Sequence, residues 1–182
     1  MTSTNPSPSM QASTPASGPA RPAPAIYYTT MDSPLGRLVL TGTPQGLRSV
    51  WIAGEKHDPG IHASWEQSPE TFHDARQQLE EYFNGKRRSF QLACNPHGTP
   101  FQQMAWATLQ QIPFGQTLTY QQQAAIAGHP AAIRAIGSAN GNNRLSIIVP
   151  CHRVIGANGR LTGYGGGLAA KQWLLDHERR HL

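Results

Sequence analysis

The stretch Ile147-Ile148-Val149-Pro150-Cys151-His152-Arg153-Val154-Ile155 gathers more potential chemistry than any other part of the chain. It puts a thiol after a short β-branched run that reads as a buried strand, and before two residues that can carry positive charge. Pro150 ends the run and fixes the backbone direction, so Cys151 is expected at a defined point near the strand end. The thiolate is the reactive form, and an unperturbed cysteine, with a pKa of about 8.5, is mostly protonated at neutral pH. His152, Arg153 or the N-terminus of a helix beneath the thiol could lower that value. Cys151 also reads as a small buried apolar side chain, the usual state of a free cysteine, and the spacing leaves both readings open.

Other candidates carry less. Gly163-Tyr164-Gly165-Gly166-Gly167 invites a nucleotide-loop reading, but Leu168 stands where G-x-G-x-x-G needs glycine and no Gly-Lys-Ser/Thr follows, so no cofactor is expected. Cys94-x-x-His97 with His57 and His62 fits no standard zinc spacing, so no metal is expected. His73, His129, His177 and His181 read as surface residues. Two cysteines are too few for a disulfide scaffold.

The elements that must hold Cys151 divide into two groups. Residues 26–30, 37–40 and 46–52 read as strands of an antiparallel meander, and residues 53–68 as a long polar loop with room for a short helix. Residues 69–83 read as a helix stopped by Asn84-Gly85, and residues 88–93 as a returning strand, completing an α+β lobe over 26–95. Thr99-Pro100 opens a helix with Phe101, Met104, Ala105, Leu109 and Ile112 at helical spacing. Residues 119–127 and 131–139 read as short helices around Gly128-His129-Pro130, the pattern of a helix-turn-helix, although any helical hairpin looks similar. Ala157-Asn158-Gly159 reads as the turn of a hairpin between Val154-Ile155 and residues 160–162. An amphipathic helix over 168–181 closes a second domain at 98–182.

Charge separates the same two parts. Residues 1–97 hold eight Lys/Arg against eight Asp/Glu, whereas residues 98–182 hold seven against two, so the whole excess of +5 lies in the second half. That imbalance suits a phosphate-binding surface, or solubility alone. Residues 1–25 are almost all Ser, Thr, Pro, Ala and Gly and read as a disordered tail. They lack the basic start and apolar centre of a secretory signal, and no apolar run is long enough for a bilayer, so a soluble cytoplasmic protein is expected.

Pro150-Cys151-His152-Arg153-Val154, then Gly163-Tyr164-Gly165-Gly166-Gly167-Leu168, then Lys171-Gln172-Trp173-Leu174-Leu175-Asp176-His177-Glu178 closely resembles the active-site region of the O6-alkylguanine-DNA alkyltransferases. The likeness continues backward without a gap through Asn143, Arg134, Tyr120 and Thr99-Pro100-Phe101-Gln102, covering about residues 98–179. Residues 26–93 fit the family's N-terminal lobe more loosely.

The resemblance implies an α+β fold, with a small ribonuclease H-like lobe packed on a mostly helical lobe that carries the helix-turn-helix. It implies that Cys151 accepts the alkyl group of O6-alkylguanine, with O4-alkylthymine a second candidate substrate. In that scheme His152 is a base working through a bridging water, Glu178 orients and charges it, and Asn143 braces the turn that presents the thiol. This is the logic of nucleophile, base and orienter. The O6 atom is hidden in the stack, so the nucleotide must be flipped out first. By resemblance Arg134 fills the vacated stack, Tyr120 crowds the adjacent phosphate, and Ala131, Ala132, Ala135, Gly137 and Ser138 form a bare helix face for the minor groove, with Arg153 a further DNA contact. Tyr164, Gly165, Val154 and Pro150 would line the alkylguanine pocket, with Trp173 as apolar support. Gly165 offers no side-chain hydrogen bond to O6, so backbone amides would serve. Sulfur would keep the alkyl group as a thioether, so each molecule acts once, without cofactor.

The implied partner is duplex DNA carrying O6-alkylguanine; no membrane is involved, and a monomer is expected, with assembly along DNA an option. A helix-turn-helix regulator or damage sensor without chemistry is the main rival, and Cys151, His152 and Glu178 argue against it. A cysteine hydrolase is the other; adjacent Cys-His is poor geometry for a direct base, and no oxyanion-hole motif is evident.

Overall fold

In the computed structural model, which describes residues 24–55 and 58–182, the first half is built on tight turns between alternating strands. Tyr27–Ser33 (β1), Gly36–Thr43 (β2) and Gly46–Ile52 (β3) form the antiparallel meander. At the first turn the Ser33 hydroxyl donates to the Gly36 carbonyl and accepts from the Leu35 amide, and Gly36 takes the φ of +103° that a side chain would resist. The loop that follows does not form a helix. It returns as Glu66–Gln67 (β4), parallel to β1 and opposite Tyr27 and Tyr28, giving the sheet order β3-β2-β1-β4.

A 3-10 turn at Glu70–Phe72 leads into His73–Phe83 (α1), which buries Phe72, Ala75, Leu79 and Tyr82 against Leu38, Leu40 and Val50 of the sheet. The same core takes in Ile147, Ile148, Val149, Cys151 and Leu174, so the two halves share one apolar interior. Backbone bonds stitch the seam: Val50 donates to Arg144 at 2.7 Å and accepts from Ser146 at 3.2 Å. Residues 88–93 are not a strand. The Gln78 side chain occupies both backbone groups of Gln91, and only Cys94 bridges to Leu47. A helix side chain thus supplies the bonds that a strand neighbour would have made.

The second half is helical: Pro100–Leu109 (α2), Tyr120–Ile126 (α3), Ile133–Gly141 (α4) and Gly167–Arg180 (α5), with Leu118–Thr119 (β5) pairing parallel to Val154–Ile155 (β6). Thr99 with Gln102 and Thr119 with Gln122 make reciprocal capping boxes, each stabilising its helix start by about 1 kcal/mol. Ala105, Ala124, Ile136 and Ala139 form a small core that fixes α2, α3 and α4 together. Beside it the Gln123 and Asn140 amides pair in both directions at 3.1 and 2.7 Å, and Trp106 donates to the Ala139 carbonyl at 2.8 Å. This is the helix-turn-helix, with Gly128 at φ +76° in the turn.

Two expectations near the thiol fail for related reasons. Residues 147–149 form no strand: Leu145–Cys151 is a chain of tight turns in which Ile148 bonds Ser146, Val149 bonds Leu145 and Cys151 bonds Val149. Ile147 there adopts φ +75°, a left-handed backbone that costs a β-branched residue about 1–3 kcal/mol. The turn at 157–159 exists, closed by Gly156 donating to Arg160, but Val154–Ile155 pairs with β5 and not across it. Among the described residues no helix is long and apolar enough to cross a membrane, and no group of three His, Cys, Asp or Glu could hold a metal ion. Positions 1–23 of the expected tail, and His57, lie outside the described residues.

Candidate active site

Cys151 opens a buried 3-10 turn, Cys151–Arg153, immediately behind Pro150. It is therefore held by a turn and not at a strand end. Asn143 fastens that turn: its Oδ1 accepts from the Leu145 amide at 3.0 Å, and its Nδ2 donates to the Val149 carbonyl at 2.8 Å and to the Cys151 sulfur at 3.2 Å. Cys151 as a whole is only 7% exposed. Burial pushes its pKa up, against smaller downward pulls from the Asn143 amide and the nearby Lys171 charge. At rest it is a thiol, and it needs a base to react.

His152 is fully buried, and its Nε2 donates to Glu178 Oε1 at 2.9 Å. Because a carboxylate can only accept, the proton of the neutral ring sits on Nε2 and leaves Nδ1 as an acceptor. Nδ1 is buried without a protein hydrogen-bond partner. Burial lowers the pKa of His152, with Glu178 pulling the other way, so the imidazole is neutral at physiological pH.

Glu178, on α5, is saturated with donors. Besides His152 it accepts from Tyr82 Oη at 2.9 Å, from the Gly115 amide at 2.8 Å, and from Arg153 Nε and Nη2, both at 2.9 Å. Burial opposes its ionisation, but the bonds from His152 and Arg153 outweigh that and hold its pKa at about 2. Arg153 is only 6% exposed, and its remaining donor goes to the Ile112 carbonyl at 2.6 Å. The expected DNA contact by Arg153 is thus corrected: its guanidinium is committed to Glu178, and it faces neither the groove nor the thiol.

Lys171 was not singled out from the sequence. It is fully buried, and its Nζ donates to the carbonyls of Val154, Thr162 and Gly163 at 2.6, 2.8 and 3.3 Å. Burial brings its pKa down to about 8, with Cys151 pulling upward. These bonds pin the loop before Tyr164, and they take the carbonyl groups that an expected hairpin would have used. Lys171, Leu174, Leu175 and Glu178 fall on one helical stripe, so two charged residues among buried leucines were the available signal. For Gly115 there was none.

The other residues expected to line the pocket differ in burial. Val154 and Pro150 are buried, Gly165 is half-buried, and the Tyr164 ring stands edge-on to His152 with centroids 6.4 Å apart and its hydroxyl buried without a partner. Trp173 points elsewhere: it stacks on His177 at 4.8 Å and packs against Phe83, bracing the lobe seam. His177 is correspondingly buried, a correction to its reading as a surface residue.

Tyr120 begins α3, and its hydroxyl donates to the Thr162 carbonyl at 3.1 Å, tying the helix-turn-helix to the pocket loop. Arg134 is exposed on α4, with Ala131, Ala135 and Ser138 exposed beside it and Ala132 and Gly137 half-buried. A bare face with one long cation is what close approach to a groove requires.

A family model for the DNA binding domain of 6-O-methylguanine DNA methyltransferase matches residues 100–180, and one for its ribonuclease-like domain matches residues 26–96. The methylated-DNA–protein-cysteine methyltransferase of Methanosarcina barkeri is 44% identical over 157 residues, covering 86% of this chain and 99% of that one. Its namesake from Mycolicibacterium paratuberculosis is 46% identical over 156 residues, covering 86% and 94%. The crystal structure of Mycobacterium tuberculosis OGT in complex with DNA matches with a TM-score of 0.80 at 42% identity, over 85% of this chain and 94% of that one. Both lobes and the segment bearing Cys151, His152 and Glu178 are covered by these matches, and the chain belongs to the 6-O-methylguanine DNA methyltransferase family.

Proposed function

We propose that this protein repairs DNA by moving the alkyl group of O6-alkylguanine, in duplex DNA, onto the sulfur of Cys151, acting as a monomer and once per molecule. The observation that carries this reading is the fully buried His152–Glu178 pair next to the buried Cys151, in which Nδ1 is the one ring nitrogen left to accept. One water between Sγ and Nδ1 completes the relay. The thiol proton passes to His152, the sulfur attacks the alkyl carbon, and the carbon–O6 bond breaks with its electron pair going to the base. The proton then ends on guanine, so the products are a thioether and an ordinary guanine. Glu178 steadies the transient imidazolium.

DNA engagement is assigned to the face around Arg134, with Arg134 entering the stack and Tyr120 at the mouth of the pocket. Arginine suits the gap because its planar guanidinium stacks and donates together. The Arg134→Ala variant should therefore react with a duplex O6-methylguanine about 10- to 100-fold more slowly, while reaction with free O6-benzylguanine base stays within about twofold, since only the duplex pays for unstacking. Equal losses on the two substrates would remove Arg134 from that role.

The direct test of the reaction is intact-protein mass spectrometry after incubation with a duplex containing one O6-methylguanine. One methyl per molecule, mapped to Cys151, is expected. Tight binding without mass change would make the protein a damage sensor, and repaired DNA beside unmodified protein would mean turnover by another route.

A further inference from the structure

We propose that Tyr82, in the N-terminal lobe, is a positioning residue for alkyl transfer that sets, through Glu178, how firmly His152 holds a proton. This rests on the relay just described. Tyr82 Oη donates to Glu178 Oε1 at 2.9 Å, and that same oxygen accepts from His152 Nε2 at 2.9 Å. Both donors draw on one carboxylate oxygen in a fully buried site, where such competition is little screened.

The ring does not depend on Glu178 for its place. It packs against Phe83, Phe90, Phe114 and His177 with centroids 5.3–6.1 Å away, and His177 Nε2 donates to the Tyr82 carbonyl at 2.7 Å. Nor does Glu178 depend on the phenol to be satisfied, because Arg153, His152 and Gly115 remain. The hydroxyl is thus surplus to packing and to carboxylate solvation, but aimed at the oxygen that governs the base. Burial, then the Glu178 charge, pushes the phenol well above its usual pKa, so it stays a donor at every working pH.

Groups facing the relay from the packed elements are Arg153 and His177 beside Glu178, and Lys171 and Tyr164 around His152. Tyr82→Phe alters none of them. Losing the phenol leaves Oε1 to the imidazole N–H and to Arg153 Nη2, at 2.9 Å each, which strengthens its hold on the imidazole and favours the imidazolium. His152 then protonates at higher pH, and once protonated on Nδ1 it cannot take the thiol proton. The acid limb of the rate–pH profile should move up by about 0.5–1 pH unit. A more acidic phenol, 3-fluorotyrosine placed at position 82, should move it down.

The test measures single-turnover methyl transfer from duplex O6-methylguanine between pH 5 and 9 for the wild type and both variants. Opposite shifts of the limb support the proposal. A uniform drop in rate with the limb unmoved in both variants overturns it, leaving Tyr82 a packing residue. If Tyr82→Phe does not fold, the fluorinated protein decides alone: no downward shift overturns the proposal. Failure of the wild type to gain a methyl would instead sink the underlying function.

Discussion

Cys151→Ser should gain no methyl group from a damaged duplex at any incubation time, a loss of at least about a thousandfold, while still binding that duplex as the wild type does. The expectation follows from the resting state of the thiol. Burial raises its pKa, so sulfur becomes a nucleophile only when His152 removes the proton. A serine hydroxyl is a far weaker acid than a thiol and, even with a base to assist it, a much poorer nucleophile than sulfur toward the saturated alkyl carbon. The fold should tolerate the change. Serine is slightly smaller, its oxygen can accept the Asn143 amide now given to sulfur at 3.2 Å, and the stability difference should stay near 1 kcal/mol. Arg134, Tyr120 and the face of α4 are untouched, so binding should persist. Intact mass and a gel-shift on the same samples separate the two effects. Methylation of the serine variant at Cys94, the other cysteine, would show that the acceptor was misassigned; Cys94 is half-buried and its pKa is pushed up by burial.

Where local chemistry decided the structure, the sequence could be read closely. Thr99-Pro100 and Thr119 cap their helices as their types suggest, and turn glycines end strands where expected. The pairing of His152 with Glu178 was legible through family resemblance, because no spacing rule links residues 26 positions apart. Reading failed where side chains replaced backbone partners. Gln78 satisfies Gln91, Asn143 satisfies Leu145 and Val149, and Lys171 satisfies Val154, Thr162 and Gly163, so side chains took backbone groups in or beside three expected strands. Arg153 failed in the same way. As a basic residue in a basic half it read as a DNA contact, yet a buried carboxylate claimed it.

Glu178→Ala should be the most destabilising single change in the site. It leaves Arg153, His152 and Tyr82 buried without their shared acceptor, and breaking a buried ion pair by removing one partner costs about 3–5 kcal/mol. Against a total stability of about 5–15 kcal/mol, that lowers the melting temperature by roughly 10–15 °C. Glu178→Gln keeps the shape and an acceptor, so it should fold better yet transfer methyl about 100-fold or more slowly, because no charge meets the imidazolium. The pair also separates charge from shape in the pH dependence of folding. Glu178 has a folded pKa of about 2, below the ordinary 4.5, so its contribution is complete above roughly pH 5 and is lost as the pH falls through 4.5 toward 2. Those figures put that contribution at about 3 kcal/mol. Urea unfolding of the wild type should therefore weaken between pH 5 and 3 more steeply than that of Glu178→Gln, which has no carboxylate to protonate. Parallel curves for the two proteins over that range would mean that Glu178 is not held as an anion by His152 and Arg153, and the electrostatic account of the relay would have to be abandoned.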